Sequence, residues 1–463
     1  MKSKVWFMDD SGGGIEKSLA NKLKTLFDEA GFANMIEKGD RVVIKLHMGE
    51  LGNTMYLRPV YVRSLVEKIK EAGGDPVIMD NTTLPYFGML SSRAIREDEE
   101  LTVERHGFVE KTCGAPVIIG DCVIPRPDGG YDASARAGSC DVKIDIPEGN
   151  VLKEQYIGRG EADADVLIAL THFKGHPMGV YGGSIKNIGV GAASKRGKHN
   201  LHMGGHPLYN GWVVNHAACM GKNGCDVWEA CEVSCPVSAK KVIDDDIIYD
   251  PNRCVTCLAC MFSCPSFVFI PKIEAFEATP ITIADSAKAL VKTKKQGKVA
   301  FINMAIDITP WCDCIPWSDR PIIPNIGIFA SYDPVAIDQA CLDKAKASGG
   351  MPGSNLQGSP YFHSGHEKFT YAGGMLGVPE TQMVEAGRRN GLGSREYELV
   401  EVKQPVHITG KVPLQYTIVG VSGRTDPLAV AKELRELYTQ EAVIPEEGFE
   451  RDNRHWREIW GIK

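Results

Sequence analysis

Between residues 219 and 264 the chain places eight of its fourteen cysteines. The N-terminus, MKSKVWFMDDSGGG, has no apolar signal core, and Asp9 and Asp10 interrupt it early. A reducing, cytoplasmic setting is therefore expected, where clustered cysteines serve as metal ligands rather than as disulfides. The second half of the array reads Cys254-x2-Cys257-x2-Cys260-x3-Cys264-Pro265. Three thiolates so spaced wrap one iron–sulphur cubane, and the fourth, followed by proline, ligates a second cluster. A zinc ribbon would instead pair CxxC with a distant CxxC. The first half is irregular. Aligning Cys231-x3-Cys235-Pro236 on the same pattern puts Cys225 first and Trp228, which cannot bind iron, where the second cysteine belongs. By the crossed rule, one 4Fe-4S cluster is expected on Cys254, Cys257, Cys260 and Cys235. The other is expected on Cys225, Cys231 and Cys264. Cys219 either swings in as its fourth ligand or stays a free thiol, leaving a 3Fe-4S form.

A two-cluster module needs about 60 residues, and the chain has 463. The remainder reads as alternating strands and helices. Val42–Leu46, Pro76–Met79, Pro116–Gly120, Asp165–Leu170, Val299–Asn303 and Ile326–Ala330 have strand character. Arg58–Ala72, Ser91–His106, Asp285–Lys295 and Pro334–Ala347 have helical spacing. This rhythm predicts an α/β fold with largely parallel sheet layers. The ferredoxin-like module (212–272) is expected as an insert dividing the α/β body into 1–211 and 273–348. The rest, 349–463, is expected to be loop-rich with a small C-terminal α/β unit, carrying strands at Tyr397–Val402 and Tyr416–Val421 and a helix at Leu428–Glu441. A net charge of −7 without a basic stripe argues against nucleic acid. No run approaches the roughly 18 apolar residues of a membrane span.

Three further stretches carry ionisable groups where a core would not. Lys45 and His47 share one face at the end of a buried-type strand, the position where open α/β sheets bind ligands. Arg58 follows, suited to a carboxylate or phosphate. His172, Lys174 and His176 lie past the next strand and lead into a glycine-rich run containing Gly182, Gly183, Lys186 and Asn187. There a ligand can approach the backbone and N–H groups can hold an anion. Cys312 and Cys314 could be redox-active, bind a metal or be small buried residues. Cys113, Cys122, Cys140 and Cys341 read as structural, and His199, His202 and His206 as a solvated loop.

The runs GDRVVIKLHMGELGNTMYLRP (39–59), GAPVIIGD (114–121), EADADVLIALTHFKGHPMGVYGGSIKNIGVG (161–191), the cysteine module and WCDCIPWSDRPIIPNIGIFASYDPVAIDQA (311–340) resemble the family catalogued as domain of unknown function 362, described as iron–sulphur centre proteins. The resemblance covers most of residues 1–345. Trp228, the stretched Cys219–Cys225 spacing, and Cys122 where a glycine is expected depart from the family pattern. A fainter similarity is to lactate racemase and its relatives. His176 and Lys186, ten residues apart with glycines between, match positions that in that family help hold a nickel-pincer nucleotide and substrate. It implies a shared fold and cleft position, not the nickel cofactor.

Together these features lead to an expected oxidoreductase. Two iron–sulphur clusters would feed a basic cleft of Lys45, His47, Arg58, His172, Lys174, His176 and Lys186, with a further cofactor or metal on Cys312 and Cys314 left open. Its expected partners are a redox protein and a small anionic substrate, and a homo-oligomer is compatible with the sequence. An electron carrier without its own substrate, and a racemase-like or ligand-binding protein with structural clusters, are the competing readings.

Overall fold

In the computed structural model, eight strands build one sheet: β1 (Ser3–Asp9), β2 (Arg41–Lys45), β3 (Asp75–Asp80), β4 (Val117–Ile119), β5 (Val166–His172), β6 (Val299–Ala305), β7 (Gly327–Ser331) and β8 (Tyr397–Glu401). Their spatial order is β8-β1-β7-β6-β5-β2-β3-β4. From β6 to β4 every neighbouring pair is parallel. β7 is antiparallel to both β6 and β1, while β8 runs parallel to β1. The fold is thus mixed α/β with a mostly parallel central sheet. The structure describes residues 2–12, 17–84, 96–128, 130–132, 140–202, 212–255, 257, 259–373 and 377–403, with scattered positions between 428 and 436.

All residues of β5 (VLIALTH) and of β6 (VAFINMA) are buried. Continuous apolar runs of this kind are what strands covered on both faces require. Side-chain alternation sorts them. Ile44, Ile168, Leu170 and Ile302 pack with Leu26 and Phe27 of α1 (Leu19–Glu29) and Leu65 and Ile69 of α2 (Pro59–Glu71). Val43, Leu167, Phe301 and Phe329 belong to the opposite core, with α3 (Ser184–Gly189), α4 (Ile273–Lys292) and α5 (Pro334–Ala347). α5 starts where its sequence says it should: Asp333 accepts the N–H groups of Val335 and Ala336, and Pro334 stands in the first turn.

Two elements differ from the sequence expectation, and a third, the expected strand from Tyr397, is present but joins the central sheet. β1 was not anticipated; it lies between β7 and β8, and its burial neither alternates cleanly nor runs continuously. α4 begins twelve residues earlier than Asp285, running through Pro280, a residue that ordinarily marks a helix boundary. Tyr397–Glu401 pairs with β1 at the edge of the central sheet. The expected strand Tyr416–Val421 lies outside the described residues, as do parts of the expected helices at 91–106 and 428–441. By contacts, 1–12 and 19–403 form one unit, and 13–18 with 404–463 form a second.

Within 212–271 the secondary structure is sparse. Trp212–Val214 pairs antiparallel with Phe269–Pro271, and Lys240–Val242 with Ile247–Tyr249. Among the described residues no helix is long and apolar enough to cross a membrane.

Candidate functional site

Because β2, β3, β5 and β6 lie together and point the same way, their carboxyl ends deliver their loops to one edge. A cavity with about 80 Å³ of water-reachable space opens there. That is room for several waters or one small molecule. His47, His172, Lys174, His176, Gly182, Gly183, Lys186, Asn187 and Cys314 line it. Lys45, Arg58 and Cys312 do not.

Much of the expected basic character is neutralised internally. Lys45 Nζ lies 2.8 Å from Asp80 Oδ1, and Arg58 pairs with Asp307 at 2.8 Å. Asp313, fully buried, accepts from His172 Nδ1 at 3.0 Å and pairs with Lys174 Nζ at 2.9 Å. The other ring nitrogen of His172 faces the Ile306 carbonyl at 2.8 Å, so both nitrogens are spent on acceptors. These side chains hold the loops in place rather than face a ligand. The glycine-rich run likewise meets an anion of the protein's own. Asp338 accepts the N–H groups of Ser184 (2.7 Å) and Ile185 (3.0 Å) at the start of α3. A Cβ on Gly183 would sit 2.5 Å from that carboxylate. Burial lifts the Asp338 carboxyl to about 6, against the hydrogen bonds that lower it. The expected external anion site on these N–H groups is therefore already filled. Asn187 anchors strand ends, donating to the Lys45 and Leu170 carbonyls and to Thr171 Oγ1.

What remains available is compact. Lys186 Nζ reaches Cys312 Sγ at 3.3 Å, and the Cys314 N–H reaches the same sulphur at 3.4 Å. Burial works to raise the Cys312 thiol. The hydrogen bond from Cys314 and the charges of Lys186, Lys174 and His176 overcome it and bring Cys312 well below the ordinary thiol range. Cys314 moves the other way, because it donates that hydrogen bond and is itself buried. His176 Nδ1 accepts the backbone N–H groups of Met178 (3.2 Å) and Gly179 (2.8 Å). Its ring hydrogen is thereby assigned to Nε2, which lies 3.8 Å from Cys314 Sγ. Burial also lowers the His176 imidazole.

Sequence reasoning passed over several wall residues. Asp80 and Asn81 end β3, the same strand-end signal that singled out His47. His202 is buried against the cavity and burial brings it down to about 3, so the expected solvated loop does not hold for it. His199 is half-buried, and His206 lies outside the described residues. Lys198 also lines the cavity, with its ammonium brought down to about 8 by burial. Cys113, Cys122, Cys140 and Cys341 are all buried, as structural thiols would be.

Glu161 is fully buried, and neither carboxylate oxygen has a hydrogen-bond partner among the described residues. Burial raises its carboxyl from 4.5 to about 8. The raised folded value means Glu161 is protonated at acid pH without penalty, and stability drains away as pH rises toward about 8. The slope approaches 1.4 kcal/mol per pH unit. Glu161→Gln cannot ionise. It is expected to be more stable than wild type at pH 8 and to lose most of that advantage at pH 5, read from denaturant midpoints at the two pH values.

The module sorts its thiols into two cavities. One is lined by Cys219, Cys225, Cys231 and Cys264, with Trp228 in its wall. The other is lined by Cys235, Cys254, Cys257 and Cys260. A single tetrahedral ion with sulphur at about 2.3 Å would draw its thiolates to roughly 3.8 Å of one another. Among the described residues no three of these eight thiols gather within 4.8 Å. The clustered cysteines can bind a metal centre. Burial pushes the Cys257 thiol up to about 11 and Cys260 up to about 12, so ligation must expel their protons. The backbone N–H of Ala239 reaches Cys235 Sγ at 3.1 Å and that of Val268 reaches Cys264 Sγ at 3.5 Å.

The family model described as Domain of unknown function (DUF362) matches residues 42–343. No curated protein matches the chain in sequence. Among solved structures, the lactate racemase apoprotein from Thermoanaerobacterium thermosaccharolyticum is 13% identical. That match covers 66% of this chain and 51% of that one, with a TM-score of 0.30. A Thermotoga maritima protein solved by the Northeast Structural Genomics Consortium is 10% identical, covering 64% and 51%, with a TM-score of 0.31. The chain spans about half the length of each.

Proposed function

The chain belongs to the family described as Domain of unknown function (DUF362), and from that premise we propose an oxidoreductase that passes electrons through two iron–sulphur clusters to a small anionic substrate in the strand-end cavity. The observation that carries this reading is the division of the eight module thiols between two cavities, four to each. It is the crossed division that the cysteine spacing demands, with Cys219 standing where Trp228 leaves a gap. When bound, the clusters would supply electrons singly.

The chain's own residues would do the rest. Lys186 and Lys198 draw a small anion into the cavity they line. Lys198, near 8, exchanges its proton close to neutral pH and suits a proton-supplying role. His176 offers its Nε2 hydrogen as a fixed donor, since its Nδ1 is committed to the backbone. Met178, Leu201 and Ile283 form the apolar part of the wall and limit water. A redox partner would meet the module, whose Val233 and Phe267 are 82% and 74% exposed.

Anaerobically purified protein is expected to hold roughly eight iron atoms with matching inorganic sulphide, reducible by dithionite. A folded protein that takes up no iron sinks the reading. Cys219→Ser is expected to cost its own cluster about one iron, leaving a three-iron form, while the Cys254-containing cluster keeps its ligands. Unchanged iron content would remove Cys219 from the ligand set.

A further inference from the structure

The geometry points to a mononuclear metal site separate from the cysteine module, in which His47, Cys312 and Cys314 hold one divalent cation of the zinc class with a coordination position open to the strand-end cavity. A ligand atom from each of the three lies within 4.8 Å of the other two, and no other group of three or more His, Cys, Asp or Glu does so among the described residues. The spacing is within a small side-chain adjustment of the roughly 3.5–3.8 Å that tetrahedral zinc bonds impose. The ligands come from loops after β2 and β6, which are not adjacent strands, so their meeting must be built.

It is built by backbone stitching between those loops. The Glu50 N–H donates to the Asp313 carbonyl at 2.9 Å. Asn53 Nδ2 donates to the carbonyls of Ile315 (3.2 Å) and Trp317 (3.0 Å), and the Thr54 N–H donates to Ser318 Oγ at 2.9 Å. Gly52 lets the loops close: its φ is +100°, and a Cβ there would lie 2.5 Å from the Pro316 carbonyl oxygen. A site held this way is preorganised.

The donor chemistry selects the ion. Two thiolates and an imidazole suit a borderline or soft cation and exclude calcium and magnesium, which require oxygen. Two thiolates with a neutral imidazole also balance a double positive charge. The Lys186 ammonium and the Cys314 N–H donate to Cys312 Sγ at 3.3 and 3.4 Å, as groups behind a metal ligand do. Cys314 faces the cavity while Cys312 lies behind it. Three protein ligands with a fourth position toward a cavity is the arrangement of reactive rather than structural zinc. A substrate oxygen bound there would be polarised beside the His176 Nε2 hydrogen. The site deepens the proposed function by giving the anionic substrate a Lewis acid, yet its existence does not depend on iron.

The test uses the full chain, prepared anaerobically and exposed to Zn2+. About one zinc per chain is expected to survive gel filtration. The zinc absorption edge is expected to report two sulphur neighbours near 2.3 Å and at least one nitrogen near 2.0–2.1 Å. The double change Cys312→Ser with Cys314→Ser is expected to lower bound zinc at least tenfold without changing iron content, and His47→Ala to weaken zinc affinity at least tenfold. No zinc uptake by the wild type, an edge spectrum without two sulphurs, or recovery of Cys312 and Cys314 joined as a disulfide would each overturn the proposal. Iron and zinc are counted separately, so an iron-free protein that binds zinc refutes the electron-transfer reading and leaves this one standing.

Discussion

Replacing Cys257 with alanine is expected to remove well over half of the bound iron and to unfold the 212–271 segment while the central sheet survives. Cys257 shares its cavity with Cys235, Cys254 and Cys260. Its regular structure is slight, with two short two-stranded pairings and described helices of no more than six residues, though Trp212, Val242, Ile247 and Phe269 bury into the core on one face of the sheet. A structural metal can contribute on the order of 10 kcal/mol to so small a unit, more than two short hairpins offer. The crossed ligation spreads the damage. Cys235 comes from the first motif and Cys264 from the second, so each half of the segment supports both cavities. Loss of one centre therefore loosens the other. The sheet, by contrast, rests on two apolar cores with helices on either face. Elemental analysis and limited proteolysis read the two effects separately: iron lost, and cuts confined to 212–271. Retention of iron would refute the assignment of Cys257.

Asp313→Asn is expected to cost about 3–5 kcal/mol of stability. The wild-type carboxylate is fully buried between His172 and Lys174, both of which are themselves almost wholly buried. Burial alone would raise the Asp313 carboxyl, but His172 and Lys174 beside it hold it down at about 2. Asparagine keeps the shape and removes the charge. The buried Lys174 ammonium then keeps the His172 carbonyl at 2.9 Å but loses its counter-ion. Denaturant midpoints at neutral pH measure the loss. A change below about 1 kcal/mol would mean that the pair is solvated rather than enclosed.

The sequence was most readable where local pattern and tertiary role agree. Val42–Leu46 and Pro334–Ala347 carry their own strand and helix signals, and the structure places elements there within one residue or so. α4 runs twelve residues further toward the N-terminus than expected, through Pro280, and β1 escaped because its burial neither alternates cleanly nor runs continuously. Strand-end logic points to the edge of the sheet where the cavity opens, since it depends on direction alone. It could not tell which cations were already paired. Lys174 and Asp313 are 139 positions apart and Lys186 and Cys312 are 126 apart, and nothing local announces either contact. Hence much of the expected basic cleft is matched by the protein's own acids, His47 included, whose Nδ1 lies 3.5 Å from Asp80 Oδ2. The same limit hid Asp338, whose carboxylate fills the glycine-rich turn.

The pairing of Trp212 with Pro271 places the first and last residues of the cysteine segment directly opposite each other across a strand pair. Facing positions in an antiparallel pair are about 5 Å apart, a gap that two or three residues can bridge. The chain therefore enters and leaves the segment at nearly one point, so its removal alters little of the path the remaining chain must follow, although Val242 and Phe269 would leave the core they share with the sheet. A version lacking 213–270, with a short glycine link in its place, should keep the β2–β6 edge and its cavity. The cysteine-rich part of the molecule and the strand-end cavity could then be handled, and inherited, as separate goods.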